Sequence, residues 1–443
     1  MKKISEHLGE IVVALAGIAL VITAITLFKA PVGDFFSGIV KTETDAGYEM
    51  LDGISPLTAD QLQNLYDFNY YSSLSGAMSD ANAGTVGTHA DSNKDNAIAG
   101  IYTKDDVPNV VLLKDASETT TLQVSDDLVL NLAGKHLSFN NTGVGISTSD
   151  SASADLSLTI DGRVSGSKIT ITNSNGAQVL LSRCGTVNVI GGEYIAECST
   201  GSCFTFALMA ESNFKDCYIS SKNASAGYSI CIYNNGSNVT LKSCKLFNDI
   251  KSLTKSNLAA GIYNVKGVLS LTYCDIYSPY CAVVNQQAGA KLNVNGGIYQ
   301  GSLYGGFYFA HGESGEAYLN GAKMSCVPYR GSFEDFSSED GYMEYAFFAG
   351  GGAKAYCSNM NIYINGCSIS GGNYAFGFRE LSGEHDNTVY ISNSRIGNLY
   401  KNKIDVNGST MKIFIGVGCD FTSDDVANPS CVTVTSEVYT KPN

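Results

Sequence analysis

Eight times between residues 189 and 396 the chain repeats one small pattern: an apolar residue, a small residue or cysteine three positions on, and an apolar residue five positions on. It occurs at Val189/Gly192/Tyr194, Phe214/Cys217/Ile219, Leu241/Cys244/Leu246, Leu271/Cys274/Ile276, Val294/Gly297/Tyr299, Leu319/Ala322/Met324, Ile364/Cys367/Ile369 and Ile391/Ser394/Ile396. The first positions lie 25, 27, 30, 23, 25, 45 and 27 residues apart. A second apolar run follows most of them, as at Ile230-Cys231-Ile232, Ala282-Val283-Val284, Phe307-Tyr308-Phe309 and Ala375-Phe376-Gly377-Phe378. Each unit therefore holds at least two short strands. The runs alternate over four to six residues, where helices would show a 3.6-residue period over ten or more. Gly and Asn bound them and suit tight corners. No unit this short can bury its apolar face alone, so the units must stack into an all-β solenoid.

This arrangement resembles the right-handed parallel β-helix of the pectate-lyase-like superfamily. The opening is similar to bacterial surface proteins of that fold: Val110-Val111-Leu112-Leu113-Lys114-Asp115, Leu128–Leu132 before Gly134-Lys135-His136-Leu137, then Leu158-Thr159-Ile160-Asp161-Gly162. The resemblance covers residues 108–430 and implies about twelve coils, a rod roughly 60 Å long at one strand spacing per coil. It implies a fold and not a function, because the scaffold carries lyases, hydrolases, adhesins and inert stalks.

Ahead of the repeats, Ile11–Phe28 is apolar but for Gly17, Thr23 and Thr26, and its roughly 27 Å as a helix crosses a hydrocarbon core. Lys2 and Lys3 precede it and favour a cytoplasmic N-terminus. A cleavable signal would need small residues at −3 and −1, but Phe28 precedes Ala30 and Ile22 precedes Ala24, which favours a retained anchor. Gly9-Glu10 before an apolar helix is also similar to the start of a type IV pilin. Cleavage after Gly9, however, puts Ala14 where pilins carry glutamate. Residues 1–40 are thus expected to be a transmembrane or filament-core helix with flanks, the second option allowing self-assembly. Residues 41–107 are expected to be a linker and capping segment. Within it Thr58–Phe68 reads as a short helix with Thr58 and Gln61 at capping-box spacing, and Ser72–Asn96 reads as loop. Residues 108–443 are the β-helix, extracellular if the anchor is retained.

Charge excludes one class of partner. The 28 Lys+Arg stand against 42 Asp+Glu, a net charge of −14 with no basic run, so nucleic acid is not a ligand.

Thirteen cysteines invite disulfides, but register argues for a different role. Cys217, Cys244, Cys274, Gly297, Ala322 and Cys367 share one position of the repeat, a position that demands small size, and free Cys behaves as a small buried hydrophobe. An interior ladder of free thiols is expected, with Cys198/Cys203, Cys274/Cys281 and Cys419/Cys431 open as bridges. There is no CxxC, and histidine occurs only at 7, 89, 136, 311 and 385, which argues against zinc.

The pectate lyases resembled here hold calcium with aspartates on adjacent coils and use an arginine as base; the coil acids nearest that pattern, Asp216 and Asp275, do not share a register. The polygalacturonase pattern is met only by the fragments His311-Gly312 and Arg395-Ile396. The 45-residue spacing is the one irregularity with chemical content. Its insertion includes Tyr329, Arg330, Phe333, Glu334, Asp335, Phe336, Glu339, Asp340 and Tyr342. Aromatics there suit sugar or protein faces, and carboxylates suit hydroxyl groups or calcium. With His311 these are the candidate ligand-binding residues. Tyr218, Tyr233, Tyr263, Tyr273, Tyr277 and Tyr299 fall next to interior positions, so alternation turns some of them outward.

The sequence therefore points to a surface rod that binds a glycan or a protein, without a catalytic set or a cofactor motif. A polysaccharide lyase or glycoside hydrolase on the same scaffold is the alternative, and a pilin-like filament subunit is a further one.

Overall fold

The computed structural model describes residues 56–443 except 92, 141, 150–154, 225–226, 254–258, 287–288, 310–314, 328–331, 334–344, 350–358, 373, 380–386, 398–403, 408–410, 427–428 and 441–443. The chain divides into Met1–Ser55 and Pro56–Asn443. The expected membrane or filament helix at residues 11–28 lies outside the described residues, and among these no helix is long and apolar enough to cross a membrane.

Residues 56–443 form an all-β parallel solenoid. Each turn is built from three strands, one more than the minimum the sequence pattern requires. A representative turn runs Glu211–Lys215, Tyr218–Asn223 and Ser229–Asn235, and the next runs Val239–Lys242, Lys245–Ile250 and Ala259–Lys266. Each strand pairs in parallel with its counterpart one turn on. The first strands stack into a 15-stranded sheet, antiparallel only where Asn69–Tyr71, Ala99–Lys104 and Val107–Leu112 begin it. In two turns the second and third strands run on as one, Lys168–Ser182 and Glu193–Leu208.

The repeat becomes a set of columns. Val189, Phe214, Leu241, Leu271, Val294, Leu319, Ile364 and Ile391 are successive partners in the first sheet. Tyr194, Ile219, Leu246, Ile276, Tyr299, Met324, Ile369 and Ile396 are successive partners along the second strands. All sixteen side chains are buried in one continuous core. Between the two columns the chain turns on a left-handed residue: Gly191, Asp216, Ser243, Tyr273, Gly296, Gly321, Gly366, Asn393 and Gly418 have φ between 49° and 75°, and after Gly191 and Gly296 a second left-handed glycine follows, Gly192 at 85° and Gly297 at 92°. Side-chain-bearing residues pay about 1–2 kcal/mol there, least for Asn and Asp, which explains why these types recur. Tyr273 is the bulky exception, and its side chain is 63% exposed.

The interior is not wholly apolar. Asn234, Asn264 and Asn285 sit in register on successive third strands. Asn234 Nδ2 donates to Asn264 Oδ1 at 2.6 Å, and Asn264 Nδ2 to Asn285 Oδ1 at 2.9 Å. Such a ladder satisfies buried amides by repetition along the rod axis.

At the N-terminal end, the helix Ala59–Leu65 forms with Thr58 as N-cap and a complete capping box with Gln61. A second helix, Leu74–Asn82, replaces the expected loop within 72–96. Ser73 caps it, and Leu74, Ala77, Met78 and Ala81 are buried against the first turns. Its small residues mimic loop composition, but their spacing makes an apolar stripe once a partner surface exists. Residues 99–112 pair as a hairpin, so the segment before residue 108 joins the same sheet.

Candidate functional site

Of the sequence-predicted binding residues, His311, Tyr329, Arg330, Glu334, Asp335, Phe336, Glu339, Asp340 and Tyr342 lie outside the described residues. The strand Ser332–Phe333 is described, and it pairs in parallel with Ser252–Leu253. One insertion follows the second strand Lys323–Cys326 and the other follows the second strand Lys245–Ile250. Both excursions therefore leave the solenoid at the corner between second and third strands and meet beside it. The faces on either side of that corner carry the exposed aromatic side chains.

On the second strands one outward column reads Glu193, Tyr218, Lys245, Asp275, Ile298, Lys323, and the next reads Ile195, Ser220, Phe247, Tyr277, Gln300, Ser325. Tyr218, Phe247 and Ile298 are 37%, 39% and 38% exposed. The rings of Phe247 and Tyr277 stack at 5.3 Å, 20° from parallel, and Gln300 Nε2 donates to Ser325 Oγ at 3.1 Å. The charges on this face come in opposite neighbours. Lys168 Nζ lies 3.8 Å from Glu193, Lys222 Nζ lies 2.8 Å from Glu197, and Lys245 is the ladder partner of Asp275. Glu197 beside Lys222 holds its ammonium above the usual lysine range. Four lysines, counting Lys323, and Arg395 two turns beyond it stand against Glu193, Glu197, Asp249 and Asp275.

Around the corner, the outward column of the third strands reads Ala207, Tyr233, Tyr263, Val284, Tyr308. Tyr233, Tyr263, Val284 and Tyr308 join Ile230, Ala260, Cys281 and Tyr345 in an apolar cluster separate from the interior core, flanked by half-buried Phe204, Tyr280, Tyr304 and Tyr374. Tyr233 and Tyr263 stack at 5.8 Å, Tyr304 and Tyr308 at 4.5 Å, and Tyr345 and Tyr374 at 5.3 Å. Burial pushes the phenols of Tyr263 and Tyr280 above the usual tyrosine range.

The six tyrosines flagged in the sequence thus separate. Tyr218 and Tyr273 are exposed; Tyr233, Tyr263 and Tyr277 face outward, half-buried in stacks. Tyr299 instead points into the core and is fully buried, because it occupies the inward column of Ile276 and Met324. Phe204, Phe247, Tyr280, Tyr304 and Tyr308 were not singled out from sequence. Strand alternation from the inward Leu246 places Phe247 outward, so the signal for that residue was present in the register.

A third aromatic run, Tyr318, Tyr363, Tyr390 and Phe414, stacks on the first sheet at 4.7–5.1 Å. Its rings lie face to face and present mainly edges, and Tyr439 packs against Tyr390 at 4.9 Å. Among the described residues no group of three or more His, Cys, Asp or Glu side chains is placed to hold a metal ion. None of the twelve described cysteines is in a disulfide. Cys217, Cys244, Cys274, Gly297, Ala322 and Cys367 lie in one column, each carbonyl from Cys217 to Cys367 accepting from the residue that follows the corner one turn on.

No protein family model and no curated protein matches the chain. Two solved structures are similar. The catalytic unit of a thermostable GH87 α-1,3-glucanase from Streptomyces thermodiastaticus is 11% identical over 72% of this chain, with a TM-score of 0.40. The chain covers 65% of that unit, just under two thirds of its length. The receptor-binding protein of bacteriophage Det7, a tailspike, is 10% identical over 75% of this chain and 74% of its own, with a TM-score of 0.25. The likeness concerns the β-helical fold, and nothing about ligand or activity follows from it.

Proposed function

We propose that this protein is a carbohydrate-binding rod, held at the cell surface by the apolar segment at residues 11–28. The observation that carries this reading is the run of outward aromatic and amide side chains on successive turns, Tyr218, Phe247, Tyr277 and Gln300, beside a tyrosine-rich flank. A sugar ring offers an apolar C–H face and a rim of hydroxyls. Aromatic rings accept the first, while amides, hydroxyls and carboxylates bond the second. A β-solenoid repeats such a set every turn, about 4.8 Å, which suits an extended polymer laid along the rod.

Binding is favoured over hydrolysis because the described acids of this face have lysine neighbours, whereas glycoside hydrolysis needs two carboxylates facing one bond. The test is electrophoresis of the full chain through gels containing soluble polysaccharides, alongside an assay of reducing and unsaturated ends. Retarded migration without new chain ends is expected. New ends would replace the binding reading with an enzymatic one.

A further inference from the structure

We infer that the polymer taken by the second-strand face is a neutral polysaccharide, bound without calcium. The inference rests on the carbohydrate-binding reading and narrows its ligand class. The whole chain carries a net charge of −14, yet this face is nearly balanced, with four lysines and Arg395 against four acids. Three of the four lysines have acidic neighbours: Lys222 is bonded to Glu197 at 2.8 Å, Lys168 lies beside Glu193, and Lys245 stands next to Asp275 in the ladder.

A uronate or sulfated polymer would meet only Lys323 and Arg395 without an acidic ladder partner, and it would approach against the field of an acidic protein. At the other lysines its carboxylates would have to break existing pairs. Calcium bridging, the other route by which an acidic protein holds an acidic glycan, needs six or more oxygen ligands. Among the described residues no cluster of three acids is placed to begin such a site. The third-strand flank beside it adds no charge to its outward column, which consists of Ala207, Tyr233, Tyr263, Val284 and Tyr308. A hydroxylated, uncharged chain matches what remains: rings exposed at Phe247 and Tyr218, the Gln300 amide, and ion pairs whose free oxygens and protons hydrogen-bond without being separated.

The test is affinity electrophoresis of the full chain against two neutral polymers, a mixed-linkage β-glucan and an α-glucan, and two acidic ones, polygalacturonate and alginate. Each is run at ~20 mM and ~500 mM salt, with calcium or with chelator. Expected is retardation by a neutral polymer, changed less than about twofold by salt or chelator, and weakened about tenfold in the Phe247→Ala/Tyr277→Ala double variant. Retardation by an acidic polymer that salt or chelator abolishes would overturn the neutral class while leaving carbohydrate binding intact. No retardation by any polymer would overturn the carbohydrate-binding reading itself. Unchanged retardation of a double variant that melts with the wild type would remove the ligand from this face.

Discussion

The phenol oxygen of Tyr299 lies 3.0 Å from the point where a Cβ on Gly297 would stand. The same relationship holds four turns earlier, with Tyr194 Oη 3.1 Å from a Cβ built on Gly192. At these two turns the small position is glycine and the inward residue two places on is tyrosine; in the other six repeats the pairing is Cys, Ala or Ser with Ile, Leu or Met. The core volume is thus shared within each turn, the ring reaching into space that a thiol fills elsewhere.

That sharing gives a pair of opposite expectations. Gly297→Ala places its Cβ 2.3 Å from the Cys274 carbonyl oxygen, at a backbone φ of +92°, so a loss of roughly 2–4 kcal/mol is expected. Tyr299→Phe removes a buried hydroxyl that has no hydrogen-bond partner, so it should be neutral or stabilising by about 1 kcal/mol. Urea unfolding of both variants checks this; a large loss in Tyr299→Phe would mean that the hydroxyl is satisfied.

The buried asparagine ladder should behave as a unit. Asn264 both accepts from Asn234 and donates to Asn285, so Asn264→Leu strands polar groups on two neighbouring turns. A loss of about 2–4 kcal/mol is expected. Asn285→Ser should cost less, because the ladder already ends there, with Asn285 Nδ2 unpaired and Phe309 in the next turn of the column. Thermal melts of the two variants rank them.

Much of the fold was legible because one strand of the repeat carries two hard constraints, an inward apolar column and a left-handed corner, and both restrict residue type. The third strand was less legible, since its short runs differ in character from turn to turn: Ser229–Asn235 carries cysteine and asparagine, whereas Tyr304–Phe309 carries glycine and phenylalanine. The helix Leu74–Asn82 was hidden because only Leu74 and Met78 of its buried face are large, the alanines Ala77 and Ala81 gaining a helical role only from the turns beneath. For the site, composition drew the eye to the 325–344 insertion, where acids and aromatics concentrate. Phe247 and Tyr277 have no unusual local composition; only the register of neighbouring turns brings them together.

The N-terminal helix pair should loosen in acid. The buried carboxylate of Asp80 accepts from Tyr71 Oη at 3.0 Å, from the His89 backbone N–H at 2.9 Å and from the His89 ring. Burial alone would raise its pKa, but the hydrogen bonds from His89 and Tyr71 outweigh this and hold it below the usual carboxylate range. A carboxyl depressed in the folded state stabilises fully above its unfolded pKa, about 4, and that stabilisation is lost as pH falls through the lower folded value. Amide exchange of Leu74–Asn82 should therefore rise below about pH 4 in the wild type, and Asp80→Asn should show less of this pH dependence. Equal acid sensitivity in both proteins would assign the effect to other carboxyls.

The thiols provide a final test, one of chemical state. Burial pushes Cys231, Cys274 and Cys367 up to about 12 and Cys244 and Cys281 well above the usual thiol range. At pH 8 a thiol of pKa about 12 is ionised in only about one molecule in 10⁴, and the thiolate is the reactive form. Cys198 differs: the neighbouring Cys203 thiol holds it below the usual thiol range. Brief alkylation of the native protein followed by mass spectrometry should therefore label Cys198 before Cys231, Cys244 or Cys274. In denaturant without reductant, the twelve described cysteines should all react, as cysteines outside disulfides must. If Cys198 and Cys203, or Cys274 and Cys281, stay unlabelled until reductant is added, those pairs are bridged. The column at Cys217, Cys244 and Cys274 would then share its turns with a covalent staple at the corner.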